Sequence, residues 1–470
     1  PEGVTEIGSS AFSDNPQLTK ITLPSSLKKI GHGAFYGTNL TSIDLPEGLE
    51  EIGSNAFWGT KLTELVLPSS LKRIDSYAFR NISTLTKVHI PAHLESASNV
   101  FAYHYEDGTA SPITEVSFES GIESIPSGLF NGVSSLTNVT IPSTVKRIGS
   151  SAFSGTTLAE ISIPEGVEEI GSSAFGNIES LKKVTLPSSV TNAYNAFSGS
   201  RKLTDVKLGD GFTKLPDGLL SGTGITEFVV PEGVTEIGSS AFSDNPQLTK
   251  ITLPSSLKKI GSNAFNGTGL TSIDLPEGLE EIGSNAFSGT KLTELVLPSS
   301  LKWIDSYAFR NISTLTKVHI PAHLESASNV FAYHYEDGTA SPITEVSFES
   351  GIESIPSGLF NGVSSLTNVT IPSTVKRIGS SAFSGTTLAE ISIPEGVEEI
   401  GSSAFGNIES LKKVTLPSSV TNAYNAFSGS RKLTDVKLGD GFTKLPDGLL
   451  SGTGITEFVV PEGVTEIGSS

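Results

Sequence analysis

The 470-residue chain carries 50 acidic and 31 basic side chains, a net charge of −19, which argues against nucleic acid or an anionic membrane surface as partner and favours solubility. It has no cysteine, which excludes a disulfide framework and a cysteine-ligated metal and is a pointer towards an exported protein. No apolar run approaches the roughly 18 residues of a membrane span, and a chain that lacks methionine and starts in mid-repeat at Pro1 is expected to be a piece of something longer.

Residues 1–17 read as the back part of a repeat whose strand is missing. From Leu18 to Asn39 the unit is LTKITLPSSLKKIGHGAFYGTN, and it returns at 40–61, 62–84, 136–157 and 158–180 with lengths of 22 or 23 residues. Self-similarity at this period, with this leucine spacing, is the signature of a leucine-rich solenoid in which each repeat is one coil. The fold class expected is therefore an all-β-leaning, right-handed repeat solenoid. It should be a curved stack with a parallel strand sheet on one face and short strand or turn returns on the other. A coil of this size cannot bury enough apolar surface alone, so its neighbours must cover both of its faces.

Within one repeat, each position is assigned a side. Lys20-Ile21-Thr22-Leu23 alternates polar and apolar with the period of a half-buried strand, so Ile21 and Leu23 face the core. Pro24 has no amide hydrogen and ends the ladder, as do Pro46, Pro68, Pro91, Pro142, Pro164, Pro187 and Pro231; only Glu119 and Gly209 replace it. The chain returns through Leu27 and Ile30, which read as a second short strand, before Gly31 permits a tight bend. Ala34-Phe35 closes the coil. Phe35 recurs as Phe57, Phe79, Phe101, Phe130, Phe153, Phe175 and Phe197, with Leu220 filling one place, so a continuous phenylalanine column is expected.

The repeat at 85–112 is longer, at 28 residues, and its insertion around Phe101 to Gly108 must bulge from the loop edge. At residue 231 the text starts again. Residues 231–460 copy 1–230 with six changes, and 461–470 begin a third copy. We therefore read 1–470 as one continuous array made of a first ten-repeat unit, 1–230, and a near-identical second unit, 231–460. His32, Gly33, Tyr36, Asn39, Trp58 and Arg73 become Ser262, Asn263, Asn266, Gly269, Ser288 and Trp303. Changes confined to so few coils mean recent duplication or deliberate construction.

The stretches LPSSLKKIGHGAFYG, LPEGLEEIGSNAFWG and IPEGVEEIGSSAFGN make the whole chain resemble the BspA-type leucine-rich repeat proteins. The resemblance implies a curved solenoid and, for many bacterial members, a secreted or surface-attached protein that binds host proteins or other cells. Many family repeats have a cysteine near the end of the coil, where this chain has Thr38, Thr60 or Thr156. The family has no shared catalytic residues to carry over.

Chemistry-bearing patterns resolve into structural ones. Lys28-Lys29, Glu50-Glu51, Lys72-Arg73, Lys146-Arg147 and Glu168-Glu169 fall in one column and should meet opposite charge in adjacent coils; Glu64, Lys87, Glu115 and Glu160, Lys183, Asp205 alternate likewise on the strand face. His89, His93 and His104 share one repeat but lie on different parts of it, with no paired-ligand spacing, so no metal is expected. No G-x-S-x-G elbow and no phosphate-binding glycine loop occurs, and no cofactor or enzyme activity is expected.

Two places stand out for recognition. Tyr103, His104 and Tyr105, repeated as Tyr333, His334 and Tyr335, lie in the insertion; tyrosines there suit protein or glycan contact, or else fold back over the edge of the stack. His32, Tyr36 and Trp58, with Trp303 as the aromatic newcomer of the second copy, form the variable set, and Tyr36 and Trp58 should be surface neighbours. Diversified binding, neutral drift and engineering all leave such a trace. The function expected is a non-catalytic binding module of a bacterial cell-surface adhesin, extracellular, with a protein or glycan ligand on a host or neighbouring cell. A passive stalk and an engineered repeat scaffold are the alternatives.

Overall fold

Short segments of the coils form two sets of parallel ladders, and no helix occurs among the described residues, which are 3–101, 112–331 and 342–469 of this computed structural model. The chain divides into two compact units, Pro1–Ile225 and Thr226–Ser470.

In the first unit the return ladder runs Glu6–Ile7, Lys29–Ile30, Glu51–Ile52, Arg73–Ile74 and Ser96–Ala97, in that order. It resumes with Ser124–Ile125, Arg147–Ile148 and Glu169–Ile170. Each strand pairs an outward polar residue with an inward apolar one, and Ile30, Ile52 and Ile74 are fully buried. Register keeps the charge doublets adjacent. Glu50 lies 3.4 Å from Lys28 and 3.6 Å from Lys72, and Glu51 lies 3.8 Å from Lys29 and 3.7 Å from Arg73.

On the other face, Glu64–Val66, Lys87–Ile90 and Glu115–Phe118 form one three-stranded sheet, and Glu160–Ser162, Lys183–Leu186 and Asp205–Leu208 form another. A strand was expected in every coil, yet 19–23, 41–45 and 137–141 carry none. Packing is looser at the first two, whereas the inward Val139 and Ile141 of the third are buried. Ile21, Leu23, Ile43 and Leu45 are only half-buried, as are Val116 and Phe118 beside 137–141, whereas Leu65 and Val88 are buried. No backbone hydrogen bond ties 137–141 to the coil on either side.

The proline column ends the strand ladder by removing a donor, and its two exceptions show this directly. Where Glu119 and Gly209 stand, the amide is present and donates to the carbonyls of Ile90 and Leu186 at 2.8 and 2.7 Å, lengthening the pairing. Gly31 does not make the bend assigned to it from sequence. A Cβ there would lie 2.7 Å from the Ser9 amide nitrogen, so its role is close approach to the preceding coil. The left-handed residue comes two places later, at Ser10, Gly33, Asn55, Tyr77, Asn99, Gly128 and Ser151.

The phenylalanines stack as a column, with centroids 5.4 Å apart from Phe12 to Phe35, 5.1 Å to Phe57 and 5.0 Å to Phe79. Spacing widens to 5.9 and 5.7 Å on the two sides of Phe101, whose coil carries the insertion, then returns to 5.5 Å at Phe153 and 5.3 Å at Phe175. Thr38, Thr60 and Thr156, which stand at the family's cysteine place, are buried, and each hydroxyl donates to the phenylalanine carbonyl three residues earlier at 2.8–2.9 Å. A hydroxyl there satisfies a buried carbonyl.

The second unit repeats these elements. Its return ladder includes Glu236–Ile237, Lys259–Ile260, Glu281–Ile282, Trp303–Ile304 and Ser326–Ala327, and its strand sheets include Glu294–Val296, Lys317–Ile320 and Glu345–Phe348. Phe242 to Phe427 form its column.

Candidate functional site

The strand face is a patterned surface in each unit. Period two sends Glu64, Lys87, Glu115 and Ser117 outward while their neighbours enter the core. Lys87 Nζ lies 3.0 Å from Glu115 Oε2, and this hydrogen bond, with the charge behind it, holds the lysine pKa above its ordinary value. His89 Nδ1 lies 2.9 Å from Ser117 Oγ. Lys183 sits in register between Glu160 and Asp205 without closing an ion pair with either.

The interruption at 137–141 shapes this face. A hollow of about 510 Å³ is lined by Glu64, Lys87, His89, Glu115, Ser117 and Asn138, and another of about 450 Å³ by Asn138, Thr140, Glu160, Ser162, Lys183 and Thr185. Equivalent hollows of about 460 and 430 Å³ recur in the second unit around Asn368.

At the end of the same strands, Glu119 staples three coils. Its carboxylate accepts a hydrogen bond from Ser69 Oγ at 2.5 Å and from the Ala92 amide at 2.7 Å. These bonds, with a smaller contribution from His89 and His93, depress its pKa below the ordinary 4.5. Glu349 does the same in the second unit with Ser299 and Ala322.

The aromatic residues singled out from sequence separate in the structure. Tyr103, His104, Tyr105, Tyr333, His334 and Tyr335 lie outside the described residues. Tyr36 and Trp58 come together as parallel rings with centroids 4.4 Å apart and 5° between planes, both half-buried. His32 is exposed, and its side chain makes no hydrogen bond or ion pair among the described residues. Trp303 occupies the return ladder opposite Glu281, is 41% exposed, and has Lys302 Nζ 5.5 Å from its ring. It replaces Arg73, which pairs with Glu51, so it belongs to a different column from Trp58.

Sequence reasoning missed Tyr77 and Arg80. Tyr77 has φ 65°, a conformation that a bulky residue adopts only under strain, and the Arg80 guanidinium lies over its ring at 4.9 Å. The signal was present: Tyr77 is an aromatic residue in a column otherwise filled by glycine, asparagine and serine. Among the described residues, no group of three or more His, Asp or Glu side chains is placed to hold a metal ion. No helix of the described residues is long and apolar enough to cross a membrane.

A family model described as a BspA type leucine rich repeat region, in 6 copies, matches residues 5–133, 102–223, 235–362 and 353–470. Among solved structures, a leucine-rich repeat protein from Bacteroides ovatus is 28% identical, with 83% of this chain and 87% of that one covered and a TM-score of 0.52. The pneumococcal vaccine antigen PcpA is 22% identical over 80% of this chain and 79% of its own, with a TM-score of 0.34. A leucine rich cell surface protein from Faecalibacterium prausnitzii is 20% identical over 93% and 83%, at 0.26. No curated protein matches the chain.

Proposed function

The chain belongs to the BspA-type leucine-rich repeat family, and on that premise we propose that it is the non-catalytic binding module of a bacterial cell-surface adhesin. Leucine-rich repeat folds generally bind proteins, and the matching family is a repeat surface rather than a reaction centre. The observation that carries the reading is the pair of hollows of mixed polar and apolar lining on the strand face, repeated at equivalent residues in both units. Their lining mixes Lys87, Glu115, His89, Asn138 and Lys183, side chains suited to charged and hydrogen-bonded contact with a protein partner. In this reading the module is extracellular and its ligand sits on a host or neighbouring cell; membership of the family supports it, and the net charge of −19 is consistent with a solvated surface.

The test is capture of extracellular matrix proteins on an array by the intact chain. We expect binding to at least one protein well above albumin, reduced when Glu115→Lys and Glu345→Lys reverse the charge in one hollow of each unit. A chain that captures nothing above albumin overturns the reading of the strand face as a protein-binding surface.

A further inference from the structure

The stacked pair on the first unit ends at Trp58. Tyr36 covers one face of the Trp58 indole at 4.4 Å, and among the described residues no second ring stacks on Trp58. There the same repeat position is Arg80, held in register by the Gly59 amide, which donates to the Arg80 carbonyl at 3.0 Å. Arg80 does not continue the stack. Its guanidinium leans onto Tyr77, 4.9 Å from the ring centroid, forms no ion pair among the described residues, and leaves Nε buried without a hydrogen-bond partner. Among the described residues the third rung of the aromatic ladder thus holds no ring, and it lies between an indole and a guanidinium that no carboxylate pairs.

Both boundaries ask for the same ligand. An indole face takes a ring that presents C–H groups, and an unpaired guanidinium takes a carboxylate in bidentate fashion. In a chain of net charge −19, a guanidinium without a carboxylate partner is positioned for an anion brought from outside. Tyr77 is held at φ 65°, and backbone strain of this kind concentrates at binding sites.

We propose that Trp58 and Arg80 bind a hexuronic-acid residue of an acidic glycan, its pyranose ring stacked on Trp58 and its carboxylate on Arg80. The proposal rests on reading the chain as a binding module and names a ligand class for a surface apart from the strand face. A sugar acid meets both groups with one rigid residue, whereas an acidic peptide side chain supplies the carboxylate without the ring. The second unit is a built-in control: Tyr307 and Arg310 remain 5.2 Å apart, but Asn266 and Ser288 replace the rings, so one site per chain is expected.

The test uses the full chain carrying Trp303→Arg, the residue type native at position 73, which leaves Trp58 as the sole indole. Hyaluronan tetrasaccharide should change the Trp58 emission with 1:1 saturation. Trp58→Ser, the residue native at 288, should abolish binding seen by calorimetry, a loss of about thirtyfold or more, and Arg80→Gln should weaken it about tenfold. Neutral chitotetraose should bind at least about tenfold more weakly, the discrimination owed to one charge-assisted contact. An unchanged emission at millimolar hyaluronan tetrasaccharide, a stoichiometry of two, or equal binding of tetraglutamate each overturns the assignment. Because the matrix-protein capture described above depends on Glu115 and Glu345 and not on Trp58, it continues in the Trp58→Ser chain if only the glycan site is wrong.

Discussion

Replacing Phe175 by alanine tests the packing that makes the coils interdependent. Phe175 is fully buried, with Phe153 at 5.3 Å on one side and Phe197 at 5.6 Å on the other. The coils on both sides are pinned by backbone bonds of 2.8 Å, from the Phe153 amide to the Ala174 carbonyl and from the Phe175 amide to the Ala196 carbonyl. The cavity therefore cannot collapse, and the loss should fall in the upper part of the usual range of about 3–5 kcal/mol. Lys146 gives the contrast. Its ammonium is 3.5 Å from Glu123, both side chains more than half exposed, so Lys146→Ala should cost at most about 1 kcal/mol. The duplication supplies an internal replicate, since Phe405 lies between Phe383 at 5.3 Å and Phe427 at 5.6 Å. Urea melts followed by circular dichroism should give Phe405→Ala the same loss as Phe175→Ala, with the slope unchanged. Equal losses at Phe175 and Lys146 would refute the assignment of inner and outer faces.

Other outcomes follow from the same geometry. Thr156→Val should lose about 0.5–1.5 kcal/mol in a melt, because the Phe153 carbonyl forfeits its hydroxyl donor. Tyr77→Asn should raise the melting temperature, relieving about 1–3 kcal/mol of backbone strain against about 0.5–1 kcal/mol of lost cation–π contact, while weakening glycan binding by freeing Arg80. For Glu119 the folded pKa is depressed below 4.5, so its stabilising effect is present above that pH and is lost as the pH falls through the lower folded value. Glu119→Gln should accordingly flatten the acid limb of a stability–pH profile measured by urea melts, and an unchanged limb would show that the staple does not act through its charge.

Much of the fold could be read from one repeat. The positions of Ile30, Ala34 and Phe35 gave the core, and Pro24 gave the end of the ladder, because each rule acts within a single coil and its effect repeats at every coil. What escaped depends on the neighbouring coil. Gly31 and Gly33 are both glycine, and only the structure shows that the first avoids the Ser9 backbone while the second takes the left-handed turn. The missing ladder at 137–141 was equally invisible, since TNVTI has the same alternation as the paired TEVSF. For the candidate sites, adjacency of Tyr36 and Trp58 followed from register alone. Arg80 did not, because its side chain leaves its own column to meet Tyr77.

The coil-to-coil bonds have a genetic consequence. Most hydrogen bonds between coils span 21 to 28 residues, so a coil is specified by the coils next to it and not by its rank in the array. Two stretches of 230 residues that differ at six positions can recombine out of step anywhere between them, adding or deleting a whole block while every junction retains residues already compatible with one another. Length in such a protein can vary between lineages without a folding defect for selection to remove, and the reach of whatever ligand sites it carries would vary with it.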